Sequence, residues 1–555
     1  MKTIHLWVSA ASLLSLTLAC TAPRSSDRSP SSLSGSFKIE DARVLPHNTD
    51  AWLEKRIRIK SAKKSVSLAY YIIEGDTSSA LLFRDLIAQK AKNPDLEVKI
   101  LVDYWQSQHQ LPFIKFLDTV PGFEVKRYGA PDQELMGALD QIGIDKNLFL
   151  SSVMMGDKDG LLTSLKNATE LNLVSALKEQ VKDWKADPKS AHTNPLSLSG
   201  RILAAQVKAP TAVEFFHGMR MFMHWSHFKL TLVDGRCFVM GGRNLSDQYH
   251  LNRGDELVKD RPYVFNDVDV SGCIQGGAGE QTASFSGLWN SPRNVRVSER
   301  LFEKTPSVAM TQAEFDAQVA KGAKLEDLPQ SSDVINMPDG AISAVVADNQ
   351  PPVTEESSNI LRKYVASIDA MKAGEELTFV NAYFYIDDSW PIYMDHGKPG
   401  AVSLSSLFSA IESAAKRGVK VRIHTNSDKS TDLSMVNMQA FRGYRRLVEA
   451  GVELYELGPN QGSLHMKAAV FGDHGMAVGS FNLDPRSHLF DTNNALFFGA
   501  ESATMGPASE AYLKQVHALN WTRVDEARLK AIDAILQEPG KGKFLRGVRT
   551  IRETL

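Results

Sequence analysis

The sequence predicts a duplicated α/β fold, and three observations carry that prediction. Residues 65–129 read in order as strand, helix, strand and, after a short intervening segment, strand. Residues 376–458 repeat that order. A segment beginning His-x-Lys also occurs once in each half, HFKLTLVDGRCFVMGGRN at 227–244 and HMKAAVFGDHGMAVGSFN at 465–482. Strands alternating with helices imply βαβ units and a mostly parallel sheet, here built twice.

The elements follow from composition and period. SVSLAYYII (65–73) is an apolar run rich in β-branched and aromatic residues, which reads as a buried strand. SSALLFRDLIAQKAK has helical spacing, and LEVKILVD (96–103) and FEVKRYG (123–129) are strands. In the second half ELTFVNAYFYI (376–386) is the strand and SLSSLFSAIESAAKRG the helix. VKVRIHTN (419–426) and VELYELG (452–458) are the next strands. Tyr128 and His227 are separated by 98 residues, whereas Tyr455 and His465 are separated by nine. The excess predicts an insertion at about 130–212, read either as a cover over the first motif or as a packing elaboration. The halves are placed at 37–300 and 351–555, with a linker at 301–350.

The chain has 555 residues, enough for two to four domains. With 43% apolar and 23% charged residues it is not a disordered chain. A net charge of −2 gives no global sign of nucleic-acid binding, and three cysteines exclude a disulfide framework. Residues 6–19 are apolar but too short to span a bilayer, and Ala19 precedes Cys20. This resembles a bacterial lipoprotein signal with Cys20 as the lipidated residue, followed by a Ser/Pro-rich tether at 21–36. The expected location is extracytoplasmic and membrane-anchored, at the outer membrane in a Gram-negative host. The run KGKFLRGVRTIR (541–552) has five cations and no acid, suiting an anionic membrane surface or a solvated tail. Cys237 and Cys273 read as core residues on strands, with a disulfide between them possible in an oxidising compartment.

In a strand, residues two apart share a face, so His227 projects with Lys229 and His465 with Lys467. Asp234-Gly235 reads as a two-residue type I′ turn, which brings residue 242 opposite 227 and puts Asn244 on the face of His227. The second copy has Gly472 where the first has its Asp, and the acid follows at Asp473, a pattern suited to a type II′ turn. Asp234 and Asp473 are read as turn residues. The His-to-Asn spacing is 17 in both copies, so Asn482 falls beside His465. Two imidazoles, two ammoniums and two amides facing each other across a pseudo-twofold axis suit one small anion such as a phosphodiester.

The twin H-x-K motif, followed by G-[GS]-x-N, resembles the phospholipase D superfamily. That resemblance implies two βα sandwich halves with one active site at their interface. It implies a phosphohistidine intermediate on one histidine with the other as acid/base; His227 is read as the nucleophile and His465 as the acid/base, with the reverse assignment left open. Lys229, Lys467, Asn244 and Asn482 stabilise the transferring phosphoryl oxygens, and no metal or cofactor is expected. Family members hold each imidazole with a carboxylate. Asp267, 40 residues after His227, is the equivalent in the first half. In the second half the family's Glu position is Asn493, and Asp491 is expected to supply the carboxylate instead, for His465. Ser480 is a candidate phosphate-side hydroxyl, and Arg243 either touches a second phosphate or braces a loop. His217 and His224 lie near His227 in sequence without a ligand set of metal-site spacing.

GGRNLSDQY (241–249), TNSDKSTD (425–432) with FRGYRRLVEAGVELYEL, GSFNLDPRS (479–487) and the C-terminal EPGKGK resemble bacterial cardiolipin synthases. This implies phosphatidyl transfer between phospholipids, with phosphatidylglycerol the expected substrate, a membrane surface as partner, no nucleic acid, and no partner protein specified. A hydrolytic phospholipase D is the alternative, followed by a secreted phosphodiesterase or nuclease. A non-catalytic binding module is disfavoured because both His/Lys/Asn sets are complete.

Overall fold

The structure is a computed structural model. It describes residues 36–130 and 225–537, apart from 277–278, 299–307, 327, 339–341, 350–357, 386–401 and 501–504. The lipoprotein-type signal with Cys20, the tether up to residue 35, the insertion beyond Ala130, His217, His224 and the basic run at 541–552 lie outside the described residues. Almost all described residues belong to one unit formed by Pro30–Ala130 and Trp225–Ile535.

The first half contributes β1 (Phe37–Leu45), β2 (Ser65–Tyr70), β3 (Glu97–Asp103), β4 (Phe123–Tyr128), β5 (Lys229–Val233), β6 (Cys237–Gly241), β7 (Phe265–Asn266), β8 (Asp269–Ile274) and β9 (Val295–Arg296). After β10 (Ile335–Asn336), the second half contributes β11 (Ile342–Asn349), β12 (Glu376–Asn381), β13 (Lys420–Asn426), β14 (Glu453–Leu457), β15 (Ser463–Leu464), β16 (Lys467–Phe471), β17 (Gly475–Gly479), β18 (Asn493–Ala500) and β19 (Trp521–Arg523). Strand β11 falls inside the segment expected to be a linker.

The pairing order is β4-β3-β2-β5-β6-β8-β1 in one half and β14-β13-β12-β16-β17-β18-β11 in the other, the same order twice. Antiparallel pairing of β1 with β11 joins them. Within this sheet only β2-β3-β4 and β12-β13-β14 are parallel. The sheet is therefore mixed rather than mostly parallel, because each motif enters as a hairpin antiparallel to β2 or β12.

Helices Asn48–Ser61, Thr77–Lys92 and Leu111–Thr119 cover the first half, and Asn359–Asp369, Leu404–Lys416 and Ser434–Glu449 lie in the second. Asp76 caps the helix Thr77–Lys92 by accepting from the Ser79 amide. Trp52, Leu81, Phe83, Val98 and Ile100 form one apolar core. A second core draws on both halves, with Leu230, Leu232, Met240 and Val270 beside Ala468, Val470, Val478 and Leu496. Burying each such side chain contributes about 1.5–3 kcal/mol, so the halves are held together by the strands that carry the motifs.

One local feature differs from expectation. The first hairpin pairs Val233 with Cys237, leaving three residues in the turn, and its register lies one residue beyond the expected one. Asp234 and Gly235 both have positive φ, whereas in the second copy Gly472 alone does, in keeping with the different turn chemistry. Cys237 and Cys273, directly opposite on β6 and β8, form a disulfide.

Candidate active site

Strands β2 and β12 end earlier than their apolar runs suggest. Beyond Tyr70 the chain leaves the ladder, and the Tyr71 amide donates to the Phe228 carbonyl. Ala382 does the same to Met466. Both motifs therefore begin where a parallel strand has just ended, the usual place for a site in an α/β sheet.

The halves then exchange backbone hydrogen bonds at the two histidines. The His465 amide donates to the Asn266 carbonyl (2.8 Å), and β15 runs parallel to β7 just before it. The His227 amide donates to the Thr492 carbonyl (3.0 Å), and the Thr492 amide returns to Trp225 (2.8 Å). Each histidine thus sits beside the strand end of the opposite half. Asp267 and Asn493, the residues after Asn266 and Thr492, occupy equivalent positions.

This exchange decides what holds each ring. His465 Nδ1 lies 2.6 Å from Asp267 Oδ2, so the first half's carboxylate serves the second half's imidazole. His227 Nδ1 donates to the Ser480 carbonyl (2.8 Å) and to Asn493 Oδ1 (3.1 Å), both neutral acceptors. Gly242 and Ser480 are also equivalent. A Cβ at Gly242 would collide with the Asp267 carboxylate, whereas Ser480 Oγ donates to Asn493 Oδ1 (3.3 Å).

Lys229 and Lys467 each donate to the carbonyl of their own motif histidine. All four side chains are buried. Burial first, then the two ammoniums, hold both imidazoles well below their usual range. Burial also brings Lys467 down to about 8, and Lys229 well down with it. The Asp267 carboxyl is raised by burial and pulled back by Lys467, Arg243 and Lys229. Such a concentration of positive charge in a dry site favours an anion between the lysines.

Aromatic rings wall the two imidazoles. Tyr71 meets His227 edge-on at 4.8 Å between centroids. Tyr249 meets His465 edge-on at 5.1 Å and stacks on Phe265 at 4.3 Å. Its hydroxyl lies 3.5 Å from His465 Nε2 and contacts the Asn244 side chain. Asn482 is buried, and its Oδ1 has no protein partner.

Several expected residues are placed elsewhere. Asp491 reaches neither imidazole; its carboxylate pairs with Arg486 (3.2 Å), whose guanidinium lies over Trp225. Arg243 is fully buried and donates to Asn48 Oδ1 and to the carbonyls of Leu45, Pro46 and Asp267. It braces the loop that carries Asp267, its guanidinium taken up by these protein acceptors. Ser480 orients Asn493. Asp234 accepts from the amides of Lys63, Lys64 and Ser65, tying the hairpin turn to the start of β2, and Asp473 lies in the opposite turn.

The sequence reading did not single out Tyr71, Tyr249 or Asp103. Asp103 accepts from the Ser226 amide (2.8 Å) beside the first motif, and burial pushes its carboxyl up to about 7. Its position at the end of a parallel strand was the available signal.

Residues 371–512 match the family described as cardiolipin synthase, PLD-like domain. An uncharacterized protein of Helicobacter pylori J99 is 28% identical over 291 residues, covering 49% of this chain and 53% of that one. Cardiolipin synthase C of Escherichia coli K12 is 26% identical over 308 residues, covering 50% and 59%. The chain thus spans little more than half the length of these curated relatives. The crystal structure of a phosphatidylserine synthase of Haemophilus influenzae Rd KW20 superposes with a TM-score of 0.50 at 11% identity, covering 93% of this chain and 97% of that one. That likeness is one of fold.

Proposed function

The chain belongs to the phospholipase D superfamily, and from that premise we propose that it is a cardiolipin-synthase-like phosphatidyltransferase acting on phosphatidylglycerol or a related phospholipid. The observation that carries the reading is the pair of buried His-x-Lys sets, one from each half, cross-bonded at both histidine amides. One imidazole attacks phosphorus and the other protonates the departing alcohol, then accepts the proton of the incoming one. Lys229 and Lys467 stabilise charge on the non-bridging oxygens, with Asn244 and Asn482 as amide donors.

The lipoprotein-type segment ending in Ala19-Cys20, with its Ser/Pro tether, supports anchoring at Cys20 on an extracytoplasmic membrane face. A phospholipid substrate agrees with that location.

Product analysis of the full chain on phosphatidylglycerol vesicles tests the assignment. Cardiolipin and free glycerol are the expected main products. Phosphatidic acid as the nearly exclusive product, with phosphatidylglycerol abundant, would establish the hydrolase instead.

A further inference from the structure

The segment TNSDKSTD (425–432) ends against the second motif. We propose that Asp432 selects the alcohol of the transfer, its carboxylate accepting a hydrogen bond from a free hydroxyl of a glycerol head group beside His465. This rests on the phosphatidyl-transfer reading above, with His465 exchanging the alcohol's proton, and adds the group that tells one alcohol from another.

The segment is built to hold that position. Asn426, the last residue of β13, accepts from the Leu464 amide (2.9 Å) and donates to the carbonyls of Leu464 (2.8 Å) and Ala382 (3.1 Å). It thereby ties the start of the second motif to the end of β12. Ser427 Oγ donates to the Leu457 carbonyl (2.7 Å), and the Ser427 amide donates to Ser430 Oγ (2.9 Å), closing the turn that follows. Asp432 leaves that turn with Oδ1 accepting from the hydroxyls of Tyr383 (2.6 Å) and Ser463 (3.3 Å). Ser463 stands two residues before His465, the spacing that shares a face in extended chain. Among the described residues no cation pairs with Asp432 and no donor reaches its Oδ2.

After burial, three carboxylates act on the Lys467 ammonium: Asp267, Asp432 and Asp484. Two are committed. Asp267 holds His465 and the Val268 amide, and Asp484 caps the short helix Pro485–Leu489 at the Ser487 amide. Both are buried, whereas Asp432 is half-buried and open to a ligand. Burial, and then the Asp432 charge, push the Tyr249 and Tyr383 hydroxyls well up, so both stay protonated donors.

Among the described residues the first half has no counterpart to this acid. Asp103 stands where Asn426 does, accepting from the Ser226 amide one residue before His227, but the chain then passes directly into the short helix Gln106–Gln110. Tyr71 and Ala382, whose amides make equivalent bonds, differ as well. The tyrosine ring closes against His227, whereas alanine has no ring to place against His465.

A carboxylate only accepts, and a hydroxyl donating to it makes a charge-assisted bond. Asp432 can therefore hold one glycerol hydroxyl while the neighbouring one reacts. Water and simple alcohols have only the hydroxyl that reacts. A site built to bind a substrate hydroxyl discriminates against analogues that lack it.

The test reads the choice of acceptor within one sample. The full chain is given phosphatidylglycerol vesicles with 1-propanol and ethanolamine in solution. Cardiolipin, phosphatidylpropanol, phosphatidylethanolamine and phosphatidic acid are then counted by mass spectrometry. All acceptors compete for the same enzyme, so a loss of folded protein cancels from the product ratios. Asp432→Asn should lower the ratio of cardiolipin to phosphatidylpropanol plus phosphatidic acid by about tenfold. Tyr383→Phe, which removes only the hydroxyl that holds Asp432, should lower it by about threefold. An unchanged ratio in Asp432→Asn overturns the proposal. So does a loss of phosphatidylethanolamine larger than the loss of cardiolipin, which would make the carboxylate an ammonium site. A native chain that makes no cardiolipin overturns the transfer reading itself, and this proposal with it.

Discussion

In the first half, Gly242 leaves room that the Asp267 carboxylate fills, and that carboxylate meets His465. In the second half, Ser480 and Asn493 take the equivalent positions and present neutral oxygens to His227. The surrounding backbone is the same twice over, with matched strand order, matched hairpins and reciprocal amide bonds at both histidines. Duplication has kept the scaffold and let the side chains behind each ring diverge. On the proposed two-step displacement one ring supplies a lone pair and the other a proton, and the unlike holders are where a pseudo-symmetric site would separate those tasks.

The comparison can be broken most severely at the rings themselves. His227→Ala should lower turnover on phosphatidylglycerol vesicles by about 10⁴-fold, since no other group replaces the nucleophile. His465→Ala should cost about 10²–10⁴-fold with a lipid alcohol as leaving group. Retention of more than a tenth of native turnover by either variant would contradict a site that needs both halves.

Asp267→Asn probes the unlike holder directly. It should lower turnover by about 10²-fold with little change in KM, because it acts through the ring it orients. Asp491→Asn should change turnover by less than about tenfold, since that carboxylate pairs with Arg486. Equal losses from the two would remove the distinction between them.

The ammoniums sharpen the comparison through pH. A lysine acts here in its charged form, which is lost as pH rises through its pKa. With Lys467 at about 8, kcat/KM should fall above pH 8 by about tenfold per unit. A level profile to pH 9.5 would contradict that placement.

Arg243→Lys should have the smallest effect on rate and a large one on stability. It strips a buried fork from acceptors on Asn48, Leu45, Pro46 and Asp267. The loss should be about 3 kcal/mol in urea unfolding, with turnover of the folded fraction within about tenfold of native. Unchanged stability with a collapse in turnover would return Arg243 to the substrate.

Much of this was legible in the sequence. The repeated strand–helix order gave the duplicated α/β halves, and the two His-x-Lys segments gave the paired rings. The partner of each ring was not legible. Reading each half by itself leads to Asp491 for His465, whereas strand ends cross between halves and deliver Asp267. Pairing across 198 residues of sequence leaves no local trace. Arg243 next to a motif Asn looked like a phosphate contact, but its burial against three backbone carbonyls depends on the loop at Leu45–Pro46. The mixed sheet was missed because the apolar runs of β5, β6 and β8 are covered on both faces, as in a parallel sheet, and so carry no alternation.

The division of labour between the two rings is tested most directly by a substrate that needs no acid. With a p-nitrophenyl phosphodiester the leaving group departs unprotonated, so loss of His465 should spare the first step. His465→Ala should release about one equivalent of nitrophenolate per chain in a burst and then stall, whereas His227→Ala should release none. A burst from His227→Ala with none from His465→Ala would contradict the account.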